Sequence, residues 1–154
     1  MQYLVLKYVH IIGATILFGT GLGIAFFLFA AVRSRDVVAI AATLRIVVVA
    51  DFVFTAPAVA VQLASGIALA AVLGIPFNQS WLVGALALYG LVGVCWLPVV
   101  AIQIRMLRLA EKARDEGGPL PAPFRRLYRT WFALGWPAFA GVLGILALMV
   151  WKPA

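Results

Sequence analysis

Residues 8–32 read YVHIIGATILFGTGLGIAFFLFAAV, an apolar run in which His10 is the one residue that readily carries a charge. A helix needs about 20 apolar residues to cross the hydrocarbon of a bilayer, and this run has about 25. A cleaved signal peptide has a shorter apolar core behind a basic stretch, whereas Lys7 is the single basic residue ahead of this run. We therefore expect a retained membrane-spanning helix at about residues 4–32.

Three further apolar runs follow, at about residues 46–73, 81–104 and 131–151. Hydrophobic residues make up 66% of the chain and charged residues 11%, with a mean hydropathy of +1.11. A soluble domain carries about 25% charged residues to cover its surface. The sequence therefore predicts an all-α membrane protein, a single integral membrane domain over residues 1–154 that folds as a four-transmembrane-helix bundle.

The connections between the spans are predicted from their polar and turn-forming residues. Short helical lead-ins at the membrane interface are expected ahead of the second and fourth spans, at residues 37–44 and 124–129. The third helix is expected to continue into water over residues 105–116. The glycines and prolines of residues 117–123 should end it, because proline lacks a donor and fixes its own φ. Residues 105–130 then form a basic loop.

The basic residues lie almost entirely on one side of the predicted spans. Of the 12 lysines and arginines, only Lys7 and Lys152 fall on the other side. The remainder are Arg33, Arg35, Arg45, Arg105, Arg108, Lys112, Arg114, Arg125, Arg126 and Arg129. Positively charged loops are retained in the cytoplasm, so we expect both arginine-rich connections inside and both termini outside.

The net charge of +7 would suggest a nucleic-acid partner in a soluble protein. Basic clusters beside apolar spans instead predict contact with anionic lipid headgroups. No basic segment belongs to a recognisable nucleic-acid-binding fold, so we expect no nucleic-acid partner. The location predicted is the bacterial plasma (inner) membrane, with several passes.

The single cysteine and the glycines are predicted to act in packing. Cys95 cannot form an intramolecular disulfide, and a small buried side chain is its expected role. Helices associate in lipid through small residues that permit close approach. The candidates are Gly13, Gly19, Gly23, Gly84, Gly90, Gly93, Gly135, Gly141 and Gly144, with Gly19 and Gly23 spaced as GxxxG. They suit tight crossings within the bundle or equally the face of a homodimer.

His10 is the only histidine, and ionisable groups inside a membrane are functional candidates by default. Helical spacing places Gly13 and Leu17 below it, which leaves room for a flat ligand such as a porphyrin. His10 could then be an axial ligand of haem b. The second axial ligand of the iron could be Met149, water or His10 of a second copy. The alternative is a histidine hydrogen-bonded to a neighbouring helix. Gln62 and Ser65, at a similar depth, could line the same cavity or bond across helices.

Asp51 is predicted to lie near the other surface, about 10 Å or more from His10 in depth, so the two cannot form one acid–base pair. It requires a partner or a proton. Candidates that should reach its level are Arg126, Arg129, Gln103, Trp96 and Trp136. One interpretation is a salt-bridged pin that fixes this end of the bundle. The other is a polar pocket for a proton or a small ligand.

Several short motifs distributed along the chain resemble one family. They are DFVFTAP at 51–57, CWLP at 95–98, QIRM at 103–106, WFALGWP at 131–137 and MVWKP at 149–153. Over nearly its full length the chain resembles a family of bacterial four-span integral membrane proteins, a domain of unknown function. The resemblance implies a fold but not an activity.

A second resemblance covers mainly the first span. KYVHIIG at 7–13 and QLASG at 62–66 resemble segments of HemJ-type protoporphyrinogen oxidases and related CopD-like membrane proteins. That resemblance implies a haem on the first-span histidine, which corresponds to His10. Those oxidases also carry a lysine shortly after a tryptophan of the third span. Here Trp81 is followed by LVGAL, so the resemblance extends to haem binding and not to protoporphyrinogen oxidation.

Three functions are compatible with these observations, and whether the protein is an enzyme stays open. The first is a haem-binding or redox-associated membrane protein, which we favour slightly. The second is a non-enzymatic scaffold or accessory subunit of a larger membrane complex, in which His10 and Asp51 are structural. The third is a small transporter or metal-handling component, although three methionines and one histidine are few for copper.

Overall fold

The computed structural model describes residues 1–153, which form five α-helices joined by short turns. The helices are α1 (Gln2–Ser34), α2 (Val37–Ala50), α3 (Ala56–Val72), α4 (Ser80–Asp115) and α5 (Ala122–Trp151). A π-helical turn, Asp51–Thr55, joins α2 directly to α3, so that residues 37–72 form one rod. The described residues thus contain four helical rods long and apolar enough to cross a membrane, which confirms the predicted fold class.

The surface of the bundle is apolar, as lipid requires. Large side chains such as Phe26, Ile46 and Val94 are 62%, 69% and 70% exposed. In water such a surface would be an interaction or aggregation site, whereas hydrocarbon is its natural solvent.

The end of α4 follows the sequence prediction closely. The helix continues past residue 104 to Asp115, and Gly117 then adopts a left-handed φ of +63°. The Gly118 N–H donates to the carbonyl of Ala113, and the Gly117 N–H donates to that of Arg114. This is a Schellman cap, in which glycine supplies the left-handed residue without a steric cost.

The two predicted helical lead-ins are present, and each is continuous with the span that follows it. Residues 37–44 are the first turns of the long second rod, and Ile40 and Leu44 are fully buried. Residues 124–129 likewise belong to α5, with Phe124 buried. Hydropathy located the apolar runs, but these helices begin earlier because their first turns pack against the protein.

We call the end that carries the α1–α2 turn and the α4–α5 loop the basic end, and the opposite end the terminal end. Helices α1, α2, α4 and α5 meet at the basic end around the main apolar core. The buried members of this core are Leu28, Ile40, Ala41, Leu44, Val47, Ile102, Met106, Ala110, Phe124 and Trp131. The Arg45 Nε donates to Glu111 Oε1 at 3.2 Å and links α2 to α4. The two arginine-rich connections therefore lie at the same end, as predicted, and which side of the membrane this end faces stays a prediction.

Toward the terminal end the bundle divides into two helix pairs, α1 with α3 and α4 with α5. In the second pair, methyl groups on Gly141 and Gly144 would come within 2.7 Å of Val92 and 2.9 Å of Leu88, so these glycines permit a close crossing. The pairs are joined by stacking of Phe18 on Phe139, 5.7 Å between ring centroids, and by the hydroxyl of Tyr89 donating to the Val59 carbonyl at 2.6 Å.

The GxxxG pair of the first span does not form a crossing within the chain. Gly19 has nothing within 4 Å of its would-be Cβ, and Gly23 contacts only Phe27 of its own helix. The prediction of a tight crossing is therefore wrong for these two glycines. It is confirmed for Gly141 and Gly144. A homodimer face at Gly19 and Gly23 stays a prediction.

Pro57 accounts for the π-helical turn in the second rod. Proline has no N–H, and its ring crowds the carbonyl four residues earlier, which is that of Val53. The Ala56 N–H donates instead to the Asp51 carbonyl, five residues back, and the turn widens by one residue. The widened turn begins at Asp51 and ends at Thr55, and both side chains are buried.

We predict a large difference between two isoleucines of α2 that lie at opposite faces. Ile40 is 0% exposed and Ile46 is 69% exposed. Ile40→Ala should lower the free energy of unfolding by about 2–4 kcal/mol, because the core cannot refill the cavity. Ile46→Ala, the matched control, should change it by about 0.5 kcal/mol or less. Reversible unfolding in mixed micelles measures both, and equal losses would contradict the packing described.

Candidate functional site in the membrane interior

Two groups of polar side chains lie among the membrane-spanning segments. The histidine cluster consists of His10, Gln62 and Ser65, between α1 and α3. The aspartate cluster consists of Asp51, Thr55, Trp96 and Gln103, between the π-helical turn and α4. Eleven residues of helix separate Asp51 from Gln62, about 16 Å along the rod. The prediction that His10 and Asp51 lie at different depths is thus confirmed.

The three side chains of the histidine cluster form a hydrogen-bond network around the imidazole. His10 Nδ1 lies 2.9 Å from Ser65 Oγ, and His10 Nε2 lies 3.1 Å from Gln62 Nε2. The Ser65 hydroxyl donates to the Gln62 carbonyl at 3.3 Å. One tautomer satisfies all three bonds: Nδ1–H donates to Ser65, and Nε2 accepts from the Gln62 amide. Each polar group of the histidine is therefore paired inside the protein.

Two glycines allow α1 and α3 to approach closely enough for this network to form. A methyl group on Gly66 would come within 3.0 Å of His10 Cε1. A methyl group on Gly13 would come within 2.5 Å of Gln62 Oε1, an atom with no hydrogen-bond partner among the described residues. The imidazole thus packs against the α3 backbone, and the Gln62 amide packs against the α1 backbone.

The predicted haem ligation does not fit this arrangement. An axial ligand must direct a free ring-nitrogen lone pair at iron, and both nitrogens of His10 are engaged by Ser65 and Gln62. A groove of about 240 Å³ between α1 and the second rod is lined by Gly13, Pro57 and Val61 among others, but not by His10. Haem binding at His10 stays a prediction, and it requires the network to open.

The other residues predicted for the haem pocket are not gathered around His10. Leu17 is half-buried on α1. Met149 lies near the terminal end of α5, which packs mainly against α4. Of that predicted pocket, the structure brings Ser65 and Gly13 to the histidine cluster and leaves Met149 on a different helix pair.

The aspartate cluster is deeply buried. Asp51 is 3% exposed, Thr55 7% and Gln103 1%. Asp51 and Thr55 lie at the two ends of the π-helical turn. Trp96 and Gln103 are seven residues apart, two turns along one face of α4, which aligns them with the turn.

The carboxylate of Asp51 has few donors. The Trp96 Nε1–H donates to Asp51 Oδ1 at 3.4 Å, a long hydrogen bond. The side chains of Thr55 and Gln103 also lie beside the carboxylate. Three oxygens of the cluster, Asp51 Oδ2, Thr55 Oγ1 and Gln103 Oε1, have no partner among the described residues. The site therefore contains no basic side chain, and the donors that can reach the carboxylate are the neutral Trp96 indole, Thr55 hydroxyl and Gln103 amide.

The salt-bridged pin predicted for Asp51 is wrong. The ion pairs among residues 1–153 are Arg45–Glu111, Lys112–Glu116 and Arg114–Asp115, all at the basic end. Arg126 and Arg129 are exposed, and Trp136 is 64% exposed and packs edge-on against Phe132. These side chains were predicted from their depth in the membrane to lie near Asp51, but they are on a face of α5 that points away from it.

Sequence reasoning identified Trp96 and Gln103 but missed Thr55. The signal was available, because Thr55 follows Asp51 by four residues and such residues share a helical face. Cys95, predicted to be a small packing residue, is buried at 7% exposure on α4, which confirms that prediction.

The chain belongs to the DUF2269 family, described as predicted integral membrane proteins, whose model matches residues 4–153. The match confirms the resemblance to a family of four-span membrane proteins. No curated protein and no solved structure matches the chain. The resemblance of the first span to HemJ-type and CopD-like proteins is therefore not shown.

We predict that Gly13→Ala weakens the α1–α3 contact. The added methyl group must displace the Gln62 amide from His10, and overpacking of this kind costs about 1–3 kcal/mol. Gly21→Ala on the same helix is the matched control, since nothing lies within 4 Å of that position. Thermal unfolding in detergent compares the two variants. Equal melting temperatures for both would show that the histidine cluster does not stabilise the helix pair.

Proposed function

We propose that this member of the DUF2269 family is a proton-responsive membrane subunit in which Asp51 binds one proton within the bilayer. The observation that carries the proposal is a carboxyl group that is 3% exposed, has no basic partner and lies among unpartnered oxygens. The proposal develops the polar-pocket interpretation of Asp51. It places the function at the aspartate cluster rather than at His10.

The cost of an unpaired charge supports a proton at this site. An ionised carboxylate taken out of water loses several kcal/mol of solvation unless a countercharge or several donors replace it. The donors around Asp51 are neutral side chains: the Trp96 indole at 3.4 Å, with the Thr55 hydroxyl and the Gln103 amide beside the carboxyl. A proton on Oδ2 removes the charge and also creates a donor for a neighbouring acceptor such as Gln103 Oε1. One proton thereby gives partners to two of the unpartnered oxygens.

The composition of the cluster favours a proton over a metal ion. The groups in this cluster that could coordinate a metal ion are one carboxylate, one hydroxyl and one amide. The fourth member is an indole, whose N–H cannot coordinate a cation. Divalent ions bound through oxygen prefer several carboxylates or carbonyls. Among the described residues no group of three or more His, Cys, Asp or Glu side chains converges.

The position of Asp51 in the fold links its proton to helix packing. The residue begins the π-helical turn, where α2 passes into α3, and its side chain faces α4. Such turns are common at functional sites and at points where a helix can change geometry. A charge on Asp51 would require water or a donor between these helices. Loss of the proton should therefore loosen the contact of the second rod with α4.

The charge bias and the match to a family of predicted integral membrane proteins support the cellular setting that we propose. We place the protein in the plasma membrane of a bacterium, with the basic end in the cytoplasm. A subunit of this size is expected to act on a partner, either a second copy or a larger membrane complex. Haem on His10 is the competing function, and a Soret band that is lost in His10→Ala would favour it.

We predict that Asp51→Asn removes the pH dependence of stability. As pH rises above the range in which a free carboxyl ionises, the unfolded wild-type chain releases this proton while folded Asp51 keeps it, because a charge at the buried site would cost about 3–5 kcal/mol. The melting temperature in detergent should therefore fall with rising pH in the wild type. Asparagine resembles the neutral acid in shape, so Asp51→Asn should hold its melting temperature across the same pH range.

The control for this experiment is Glu116→Gln, which removes an exposed carboxylate at the basic end and should keep the wild-type pH dependence. Parallel curves of melting temperature against pH for the wild type and Asp51→Asn would contradict the proposal. So would a stabilisation of the wild type alone by sodium or potassium chloride relative to choline chloride at equal ionic strength. That result would identify a monovalent cation as the ligand.

A further inference from the structure

A second site lies at the basic end, in a groove between the end of α4 and the beginning of α5. Its volume is about 470 Å³, and its lining is Arg105, Arg108, Leu109, Pro123, Arg126 and Leu127. Three arginines from two helices thus face one groove. The aspartate cluster contributes no residue to it.

The three groove arginines have no carboxylate partner among the described residues. The carboxylates of residues 105–116 are paired with other basic residues: Glu111 with Arg45, Asp115 with Arg114, and Glu116 with Lys112. Arg105, Arg108 and Arg126 are exposed and carry three positive charges into the groove. Such a concentration of unpaired charge attracts a ligand with more than one negative charge.

The first turn of α5 adds to this positive field. The 30-residue helix begins at Ala122, and Pro123 and Arg126 of its first turns line the groove. The N-terminal end of a helix carries a partial positive charge. This charge favours phosphate oxygens at this position, together with the guanidinium groups, which match phosphate geometry.

The remaining lining is apolar and lies at the level of the headgroups. Leu109, Leu127 and Pro123 form the carbon surface of the groove. Arg105 is the first charged residue after the apolar run of α4, so the groove starts where the hydrocarbon ends. A ligand here meets positive charge on one side and lipid-like surface on the other.

We propose that this groove binds an anionic phospholipid that carries two phosphates, of the cardiolipin class. Its phosphates contact Arg105, Arg108 and Arg126, and its glycerol and upper acyl carbons cover Leu109 and Leu127. Basic pockets between transmembrane helices are a known chemical solution for such headgroups. The proposal stands independently of the proton bound by Asp51.

Native mass spectrometry of the purified protein, titrated with cardiolipin or with phosphatidylglycerol, tests the proposal. The wild type should retain one cardiolipin more tightly than phosphatidylglycerol by about tenfold, since a second phosphate engages a second group of charges. The triple variant Arg105→Gln, Arg108→Gln, Arg126→Gln should lose about 100-fold in cardiolipin affinity, from about 1 kcal/mol for each arginine. Should that variant fail to fold, Arg108→Gln alone should lose about fivefold.

The matched control is Lys112→Gln, Arg125→Gln, Arg129→Gln, which removes the same charge from the same loop outside the groove lining. It should keep the wild-type preference for cardiolipin over phosphatidylglycerol. Equal losses in both triple variants would overturn the proposal, because they would reduce the site to general surface charge. Stabilisation of the wild type by inorganic phosphate to the same extent as by cardiolipin would also overturn it, in favour of a soluble phosphate ligand.

Discussion

Hydrocarbon cannot solvate a polar side chain, and this constraint determines which helices of the protein touch. His10 finds its partners, Gln62 and Ser65, on α3, and the network requires the close approach that Gly13 and Gly66 permit. Asp51 reaches Trp96 on α4. Since lipid gives no hydrophobic drive for helix association, such polar contacts and the tight glycine crossings must hold the terminal half of the bundle together. In the other half of the bundle, the apolar core at the basic end packs the helices together.

The two polar clusters differ in how completely they meet this constraint. In the histidine cluster both ring nitrogens are paired, so the histidine is explained as a contact between helices. In the aspartate cluster three buried oxygens lack partners, and the hydrogen bond from Trp96 to the carboxyl is long, at 3.4 Å. A buried polar group without a partner calls for an explanation, such as a functional role or a bound water or ion. For Asp51 the explanation that we propose is a proton, held at the start of the π-helical turn that joins α2 to α3.

Much of this architecture could be predicted from the sequence, because hydropathy and turn chemistry act locally. The four spans, the extension of α4 and its glycine cap follow from apolar runs and from the residues after Asp115. Depth along the membrane also placed Gln62 and Ser65 near His10, and Trp96 and Gln103 near Asp51.

The direction in which a side chain points around its helix was harder to predict, because lipid-facing and core-facing residues here are equally apolar. Arg126, Arg129 and Trp136 were therefore candidates for Asp51 although they face outward. Of the two roles predicted equally for Gly19 and Gly23, the chain does not make the tight crossing, and the homodimer face stays a prediction. The widened turn at Pro57 changes the register by a single residue, which no periodic pattern reveals.

The function that we propose requires Asp51 to be a neutral acid inside the membrane. Infrared spectroscopy of the protein in lipid tests it directly, because a protonated carboxyl group has a C=O stretching band that is separate from those of carboxylates and amides. At neutral pH the wild type should show this band, and the band should be absent from Asp51→Asn and retained in Glu116→Gln. Superimposable wild-type and Asp51→Asn spectra in the carboxyl region would contradict the account.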